Sequence, residues 1–245
     1  MEVHNHAHTS RKKWTHYFWE FLMLFLAVFC GFLAEYQLEH KIEKDREKVF
    51  IKNMYKDLIA DTAIFRNYSI ESNEFAKEVD SLLFFMKGDN RDLHLSKIYF
   101  YARNLTISTN NVVFPSQPTY NQLKHSGQLR LIHNQDVANT ISSYYQETDI
   151  IYSQNNFILG QVSHYWDLAG NLFDAGVFYK IRQEKKPPDQ TNLKLLTNDP
   201  AIINKFLVST QYYYGSRMTQ KDRVEKMIEK AVTLMGLIKK EYHLK

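Results

Sequence analysis

The sequence predicts an all-α protein in which one N-terminal transmembrane helix continues into an elongated antiparallel helical bundle. Three observations predict this fold class. Residues 17–36 form an apolar run in which Glu20 and Glu35 are the only charged side chains. Apolar residues then recur at helical spacing through most of the chain. The 245 residues include only 8 Gly and 5 Pro, which leaves few turn positions for a strand-rich fold.

Residues 1–16 form a short tail that precedes the apolar run. We expect no metal site there, because a flexible tail lacks the preorganised geometry and supporting hydrogen bonds of a metal centre. The tail is both basic and rich in histidine, its relevant residues being His4, His6, His8, Arg11, Lys12, Lys13 and His16.

The run at 17–36 predicts a transmembrane helix about 30 Å long, which matches the hydrocarbon thickness of a bilayer. Removal as a signal peptide is not expected, because cleavage after Ala34 requires a small residue at the position that Phe32 occupies. Amphipathic rings prefer the headgroup level of a membrane. Such rings lie at both ends of the run, namely Trp14, Tyr17, Trp19 and Tyr36.

The orientation of this helix is predicted with the N-terminus inside. Lys and Arg are nearly balanced on the two flanks, but only the second flank mixes them with carboxylates. The protein is therefore expected in the inner (plasma) membrane as a single-pass protein, with residues 37–245 in the periplasm. The only cysteine, Cys30, lies inside the run, so the remaining domain has no disulfide.

Composition excludes one class of partner for residues 37–245. The chain has 31 basic and 27 acidic residues, a net charge of +4, and a mean hydropathy of -0.44. So small an excess spread over the chain creates no strong positive field, and no nucleic-acid partner is expected. We predict one water-soluble helical stalk and bundle domain.

The first long helical arm is predicted to run directly on from the membrane helix. Residues 37–48 are dense in charged side chains at helical spacing and predict a solvated stalk. The polar and β-branched stretch 67–73 is a weak point of the arm, which ends at the turn 87–90. A second helical stretch is predicted at 93–105.

An irregular, proline-marked loop is predicted at 108–118. Thr119 is predicted to cap a short helix at 120–126, and Asn134 to cap the next helix, because N-cap oxygens accept the unpaired amides of a first turn. From Val137 the apolar stripe continues as a second long arm.

The second arm is predicted to end before the connector 185–188, which contains two prolines. Asp199 followed by Pro200 then predicts the start of a third long arm, in the favoured order of cap and proline. Gly215 is a predicted interruption of this arm. Three amphipathic arms cannot bury their apolar faces alone, which is why we predict a bundle.

Two patches of the sequence resemble a known family. The first patch begins at Glu20, includes Gly31 and Glu35, and continues through the charged segment that contains Arg46 and Asp61. The second patch is Thr119-Tyr-Asn-Gln-Leu-Lys-His-Ser-Gly, followed by Leu131-Ile132 and Tyr144-Tyr145. They are similar to an uncharacterised family of bacterial single-span membrane proteins, a domain of unknown function. The resemblance implies a membrane-anchored helical protein and no assigned reaction.

Two residues in the membrane run are candidate partner contacts. A carboxylate at the edge of an apolar span costs free energy unless it reaches water, a proton or a partner, so Glu20 either extends to the interface or pairs with another subunit. Reaching the interface is the favoured reading. Gly31 permits close approach of a second helix, although no second glycine lies at Gly-xxx-Gly spacing.

Aromatic clusters supply the other candidates. Rings can line a ligand pocket or a partner groove, but core packing is the favoured explanation for most of them. Three consecutive tyrosines on a helix cannot all face one core, so Tyr212, Tyr213 and Tyr214 are predicted to include a partner contact.

The sequence therefore favours a non-catalytic, membrane-anchored interaction or scaffold protein of the bacterial envelope. Its expected partners are the lipid bilayer and either another membrane or envelope protein or a second copy of the chain. No catalytic, cofactor-binding or metal-binding residues are predicted, since no nucleophile elbow, phosphate-binding glycine loop or metal spacing is present. The alternative is a sensory or ligand-binding helical domain that signals through a partner membrane protein.

Overall fold

The computed structural model describes residues 14–88, 90–107 and 112–244, and within these ranges the chain is helical with no strand. This confirms the all-α class. The histidines at positions 4, 6 and 8 lie outside the described residues, as does most of the predicted tail. The α-helices are α1 (Trp14–Lys87), α2 (Leu95–Ile107), α3 (Pro118–His125), α4 (Gln135–Ala169), α5 (Ala175–Glu184) and α6 (Pro200–Tyr242). Short 3₁₀ helices occupy Arg91–His94 and Gln128–Leu131.

The chain divides into two compact units, Met1–Phe50 and Ile51–Lys245. Among the described residues, buried side chains begin at Glu47 and Phe50, which is where the second unit starts to gain a core. The predicted division into a membrane helix at 17–36 and a stalk and bundle domain at 37–245 stays a prediction. Helix α1 contributes residues to both units.

In the first unit, α1 presents an uncovered apolar surface. It is the one helix among the described residues that is long and apolar enough to cross a membrane, with a window of mean hydropathy 2.0 that is 0% buried. A core helix of a water-soluble protein would instead hide such residues. The predicted long apolar helix is therefore confirmed.

Helix starts in the second unit agree with two of the three predicted caps. Asn134 accepts a hydrogen bond from the Val137 amide at 3.1 Å, and Asp199 accepts one from the Ala201 amide at 2.8 Å. The prediction for Thr119 was wrong. Helix α3 begins one residue earlier, at Pro118, so Thr119 lies inside its first turn and is buried.

The predicted weak points do not break their helices. Helix α1 continues through residues 67–73, and α6 continues through Gly215. Buried side chains flank both stretches, and tertiary packing of this kind outweighs low intrinsic helix propensity.

The second long arm is shorter than predicted. Helix α4 ends at Ala169, and the separate helix α5 begins after Asp174, whose carboxylate accepts a hydrogen bond from the Val177 amide at 3.0 Å. The sequence prediction joined these two helices into one arm. Their separation leaves a turn at Gly170 to Phe173, with Leu172 and Phe173 buried.

Aromatic side chains fill much of the core of the second unit. The Tyr213 ring lies 4.7 Å from Phe75 and 6.0 Å from Tyr165 between ring centroids. The Tyr165 hydroxyl donates to the Ala102 carbonyl at 2.8 Å, so this buried phenol keeps a hydrogen-bond partner. Core packing thus accounts for many of the aromatic residues, as expected.

Candidate functional site

The two candidates in the apolar run are exposed on α1. A carboxylate oxygen of Glu20 lies 3.0 Å from Nε2 of His16, one helical turn earlier, and both side chains are about half exposed. Glu20 thus has a polar neighbour within its own helix. Gly31 is exposed, and a Cβ atom added there would meet nothing within 4 Å.

The three consecutive tyrosines have three different environments. Tyr212 is 67% exposed, whereas Tyr213 is fully buried and Tyr214 packs partly against the core. Successive residues of a helix point about 100° apart, which explains the split. Tyr213 is therefore removed from the predicted partner contacts, because its surface faces the core.

A buried cation that the sequence analysis did not predict lies beside Tyr213. The Arg217 side chain is fully buried, its Nε lies 3.3 Å from the Ser72 hydroxyl, and its guanidinium lies 4.4 Å from the Phe75 ring centroid. Desolvation by burial raises the pKa of Tyr68 and of Tyr213 to about 12, although the positive charge of Arg217 and its hydrogen bonds oppose the shift. Neutral phenols and an aromatic face thus hold this cation inside the protein.

A buried carboxyl on α1 holds the irregular segment that precedes α3. Asp61 is fully buried and accepts hydrogen bonds from the Ser116 amide at 2.5 Å and the Tyr144 hydroxyl at 2.7 Å. One turn earlier, Asp57 accepts a hydrogen bond from the Thr119 amide at 3.2 Å. Two carboxyls at i,i+4 spacing therefore bind one backbone amide before α3 and one in its first turn.

Helix α4 holds the same segment from another side. The Asn155 side chain accepts a hydrogen bond from the Val113 amide at 3.2 Å and donates to the Val113 carbonyl at 2.7 Å. Tyr152 donates to the Pro115 carbonyl at 3.1 Å. Gln220 of α6 also donates to Asn155 at 3.0 Å. The part of the predicted loop that the structure describes is therefore an anchored segment.

A concave site lies where α2, the end of α4 and the start of α5 meet. This aromatic-arginine cleft has a volume of about 480 Å³, within the range of small-molecule sites. Its lining combines one cation, three aromatic rings and several small residues. These residues are Arg103, Thr106, Trp166, Ala169, Gly170, Phe173, Ala175 and Phe178.

Arg103 is the charged group of the aromatic-arginine cleft. Its Nε donates to the Phe178 carbonyl at 3.4 Å, its Nη1 contacts the Thr106 hydroxyl, and its guanidinium lies 5.8 Å from the Phe178 ring centroid. Burial, and secondarily the charge of Arg182, lowers the pKa of Arg103. Among the described residues, no carboxylate forms an ion pair with Arg103.

The rings of the cleft form a partly open apolar wall. Phe173 is buried and stacks on Phe178 with 5.1 Å between centroids, while Trp166 is 51% exposed. A pocket lined by aromatic residues was one hypothesis from the sequence, without a location. The break between α4 and α5 brings Trp166 and Phe178 to one site.

Comparisons with known proteins give no relative. No family model matches the chain, and no curated protein or solved structure matches it either. Within the described ranges, no group of three or more His, Cys, Asp or Glu side chains is placed to hold a metal ion. The site residues are therefore interpreted from their own geometry.

Proposed function

We propose that this protein is a non-catalytic, membrane-anchored interaction protein of the bacterial envelope. In this proposal residues 17–36 cross the inner membrane with the N-terminus inside, and residues 37–245 form a periplasmic stalk and helical bundle. The resemblance to single-span bacterial membrane proteins supports the bacterial assignment.

One observation carries the proposal. The apolar window of α1 is 0% buried, so its large side chains lie uncovered along the helix. Covering these residues with hydrocarbon removes their cost of exposure to water at about 25 cal/mol per Å². A bilayer satisfies this requirement along the whole length of the window.

Contacts among the long helices support the antiparallel bundle. Ser69 of α1 donates to Glu225 of α6 at 2.5 Å, whereas Phe75, later in α1, contacts Tyr213, earlier in α6. Helices α4 and α6 follow the same rule. Lys230 lies 2.7 Å from Glu147, and the Phe206 ring lies 5.1 Å from that of Tyr165, between centroids.

The proposed partner surface lies on α6. Tyr212 is 67% exposed and Val208, one turn earlier, is 40% exposed. Tyrosine is enriched in protein interfaces because it combines a large apolar surface with a polar tip. We propose that these two residues contact either another envelope protein or a second copy of the chain.

The anchoring part is tested by alkaline carbonate washing of native membranes and by a reporter fused to the C-terminus. We expect the full chain to stay in the membrane pellet and the reporter to be active only on the periplasmic side. Release of the intact chain by carbonate would contradict anchoring, and a cytoplasmic reporter signal would contradict the orientation.

The partner surface is tested by a photo-crosslinking amino acid placed at Tyr212. Tyr179 of α5 is a matched control, because it is a tyrosine with a similar exposed fraction, 68% against 67%. We expect a discrete crosslinked product from position 212 and none from position 179. Its mass separates a second copy from a different protein, and equal crosslinking at both positions would contradict the proposed surface.

A sensory or ligand-binding domain is the second candidate function. The observation that favours it is the aromatic-arginine cleft, a concave site with a cation and several rings. In that case a partner membrane protein would carry the signal across the bilayer. Ligand-dependent change in the crosslinking from position 212 would distinguish this function from a permanent scaffold.

A further inference from the structure

We propose that the aromatic-arginine cleft binds small aromatic carboxylates, with the carboxylate on Arg103 and the ring against the wall formed by Trp166 and Phe178. This inference goes beyond the proposed interaction function and does not depend on the membrane anchor. It rests on the charge, the rings and the volume of the cleft.

The charge of the cleft selects an anion. Among the described residues, the Arg103 guanidinium donates hydrogen bonds only to neutral acceptors, the Phe178 carbonyl and the Thr106 hydroxyl. These contacts use two nitrogens of a group that has five N–H donors in a planar fork. Nearby Arg182 adds a second positive charge, since it acts on Arg103 electrostatically. A carboxylate fits the remaining donors of such a fork and would supply the counter-charge that no described residue provides.

The walls of the cleft select a flat apolar body. Trp166 is 51% exposed, so its ring is available to a ligand, and Phe178 is only partly buried. Aromatic pairs gain more than the burial of their area when the rings are stacked or edge-on. Small residues at Ala169, Gly170 and Ala175 keep the space in front of these rings open.

The volume limits the ligand to one or two fused rings with a short acid chain. The cleft measures about 480 Å³ and is open to solvent on one side. Among the described residues that line it, Arg103 is the only arginine, which matches a monoanion better than a polyphosphate. A single carboxylate therefore agrees with both the charge and the size of the site.

The test measures binding to the full-length protein in lipid nanodiscs by isothermal titration calorimetry, with empty nanodiscs as the blank. The probes are phenylacetate, 4-hydroxycinnamate and indole-3-acetate, each compared with its neutral amide, and octanoate as a non-aromatic acid. We expect at least one aromatic acid to bind about 10-fold or more tightly than its amide and than octanoate.

Substitutions locate the site. Arg103→Gln should weaken binding of that acid about 10-fold, while Arg103→Lys, which keeps the charge but not the fork, should weaken it less. Arg130→Gln is the matched control, because it removes the same charge from an exposed residue outside the cleft, and it should leave binding unchanged. Ala175→Leu should block binding by filling the cleft.

Circular dichroism checks that each variant is folded, and the comparison of acid with amide needs no variant at all. The proposal is overturned if none of the aromatic acids binds at millimolar concentration, or if acid and amide bind equally. It is also overturned if octanoate binds as tightly as every aromatic acid. Unchanged binding by folded Arg103→Gln and Ala175→Leu proteins would place the ligand elsewhere and overturn it too.

Discussion

Asp61 is a buried carboxyl whose ionisation is coupled to the folded state. Desolvation by burial raises its pKa from 3.8 to about 6, and the charge of Asp57 adds to this, although hydrogen bonds from Tyr144 and Ser116 oppose it. Between these two pH values the folded chain binds the Asp61 proton more tightly than the unfolded chain does. The contribution of Asp61 to stability is therefore fully present below pH 3.8 and is lost as pH rises through 6.

We predict that Asp61→Asn removes this pH dependence. The free energy of unfolding of the wild-type protein, minus that of Asp61→Asn, should fall by about 2 kcal/mol between pH 4 and pH 6.5, since one pKa unit corresponds to ~1.4 kcal/mol and part of the shift lies outside this interval. Urea denaturation followed by circular dichroism at several pH values measures it. The exposed Asp167→Asn is the control, and a difference that stays constant with pH for Asp61→Asn would contradict the prediction.

The burial of single residues was only partly predictable from the sequence. The split among Tyr212, Tyr213 and Tyr214 follows from helical geometry and was expected in kind. Burial of Arg217 was not, because an arginine in a polar helical stretch is usually a surface residue. Its position depends on contacts with Ser72 and Phe75, which lie far away in the chain. The local sequence pattern around Arg217 does not indicate such distant partners.

At the scale of secondary-structure elements, the segment before α3 is irregular yet firmly held. Its Val113 backbone exchanges two hydrogen bonds with the Asn155 side chain, and Asp61 accepts one from Ser116. Buried backbone groups without such partners would each cost about 1–3 kcal/mol. The sequence predicted the irregular loop from its prolines, but the side chains that anchor it come from α1 and α4, far apart in the chain.

We predict that Asn155→Leu releases this segment. The substitution leaves the Val113 amide and carbonyl without their partner, so unfolding free energy should fall by about 3 kcal/mol and local opening should become more frequent. Hydrogen exchange measured by mass spectrometry should show faster exchange in a peptide that covers residues 112–117. Asn156→Leu, at the exposed neighbouring position, is the control.

Equal protection of this peptide in the wild-type and Asn155→Leu proteins would contradict the anchoring role. Faster exchange across all of α4 in both variants would instead indicate a general loss of stability. The comparison between positions 155 and 156 therefore separates an effect on the segment from an effect on the helix.

Helix boundaries in this chain were predictable where a local signal sets them. Asp199 and Asn134 cap their helices because their side-chain oxygens accept hydrogen bonds from backbone amides of the first turn. The break between α4 and α5 escaped prediction, because the apolar spacing continues across it and the decisive event is the burial of Leu172 and Phe173. That break also positions Trp166 and Phe178, so the cleft could not be predicted from the sequence for the same reason.

At the scale of the whole molecule, apolar exposure is concentrated at one end of the sequence. The membrane-length window of α1 is 0% buried, whereas Ile51–Lys245 is a compact unit with its own buried core. The two units therefore differ in how much apolar surface they hide. The first leaves its apolar window exposed, and the second buries a core of its own, as a domain does.

We predict that residues 51–245 produced alone are water-soluble and unfold cooperatively, while the full chain requires lipid or detergent. The shortened chain keeps the core residues from Ile51 onward and lacks the exposed apolar window. Sedimentation separates soluble from aggregated material, and urea denaturation followed by circular dichroism tests cooperativity. A full-length variant with residues 17–36 replaced by an unrelated transmembrane helix is the control, and it should still need lipid. Aggregation of residues 51–245 without lipid would contradict the prediction, because the apolar window would then not be what makes the full chain insoluble.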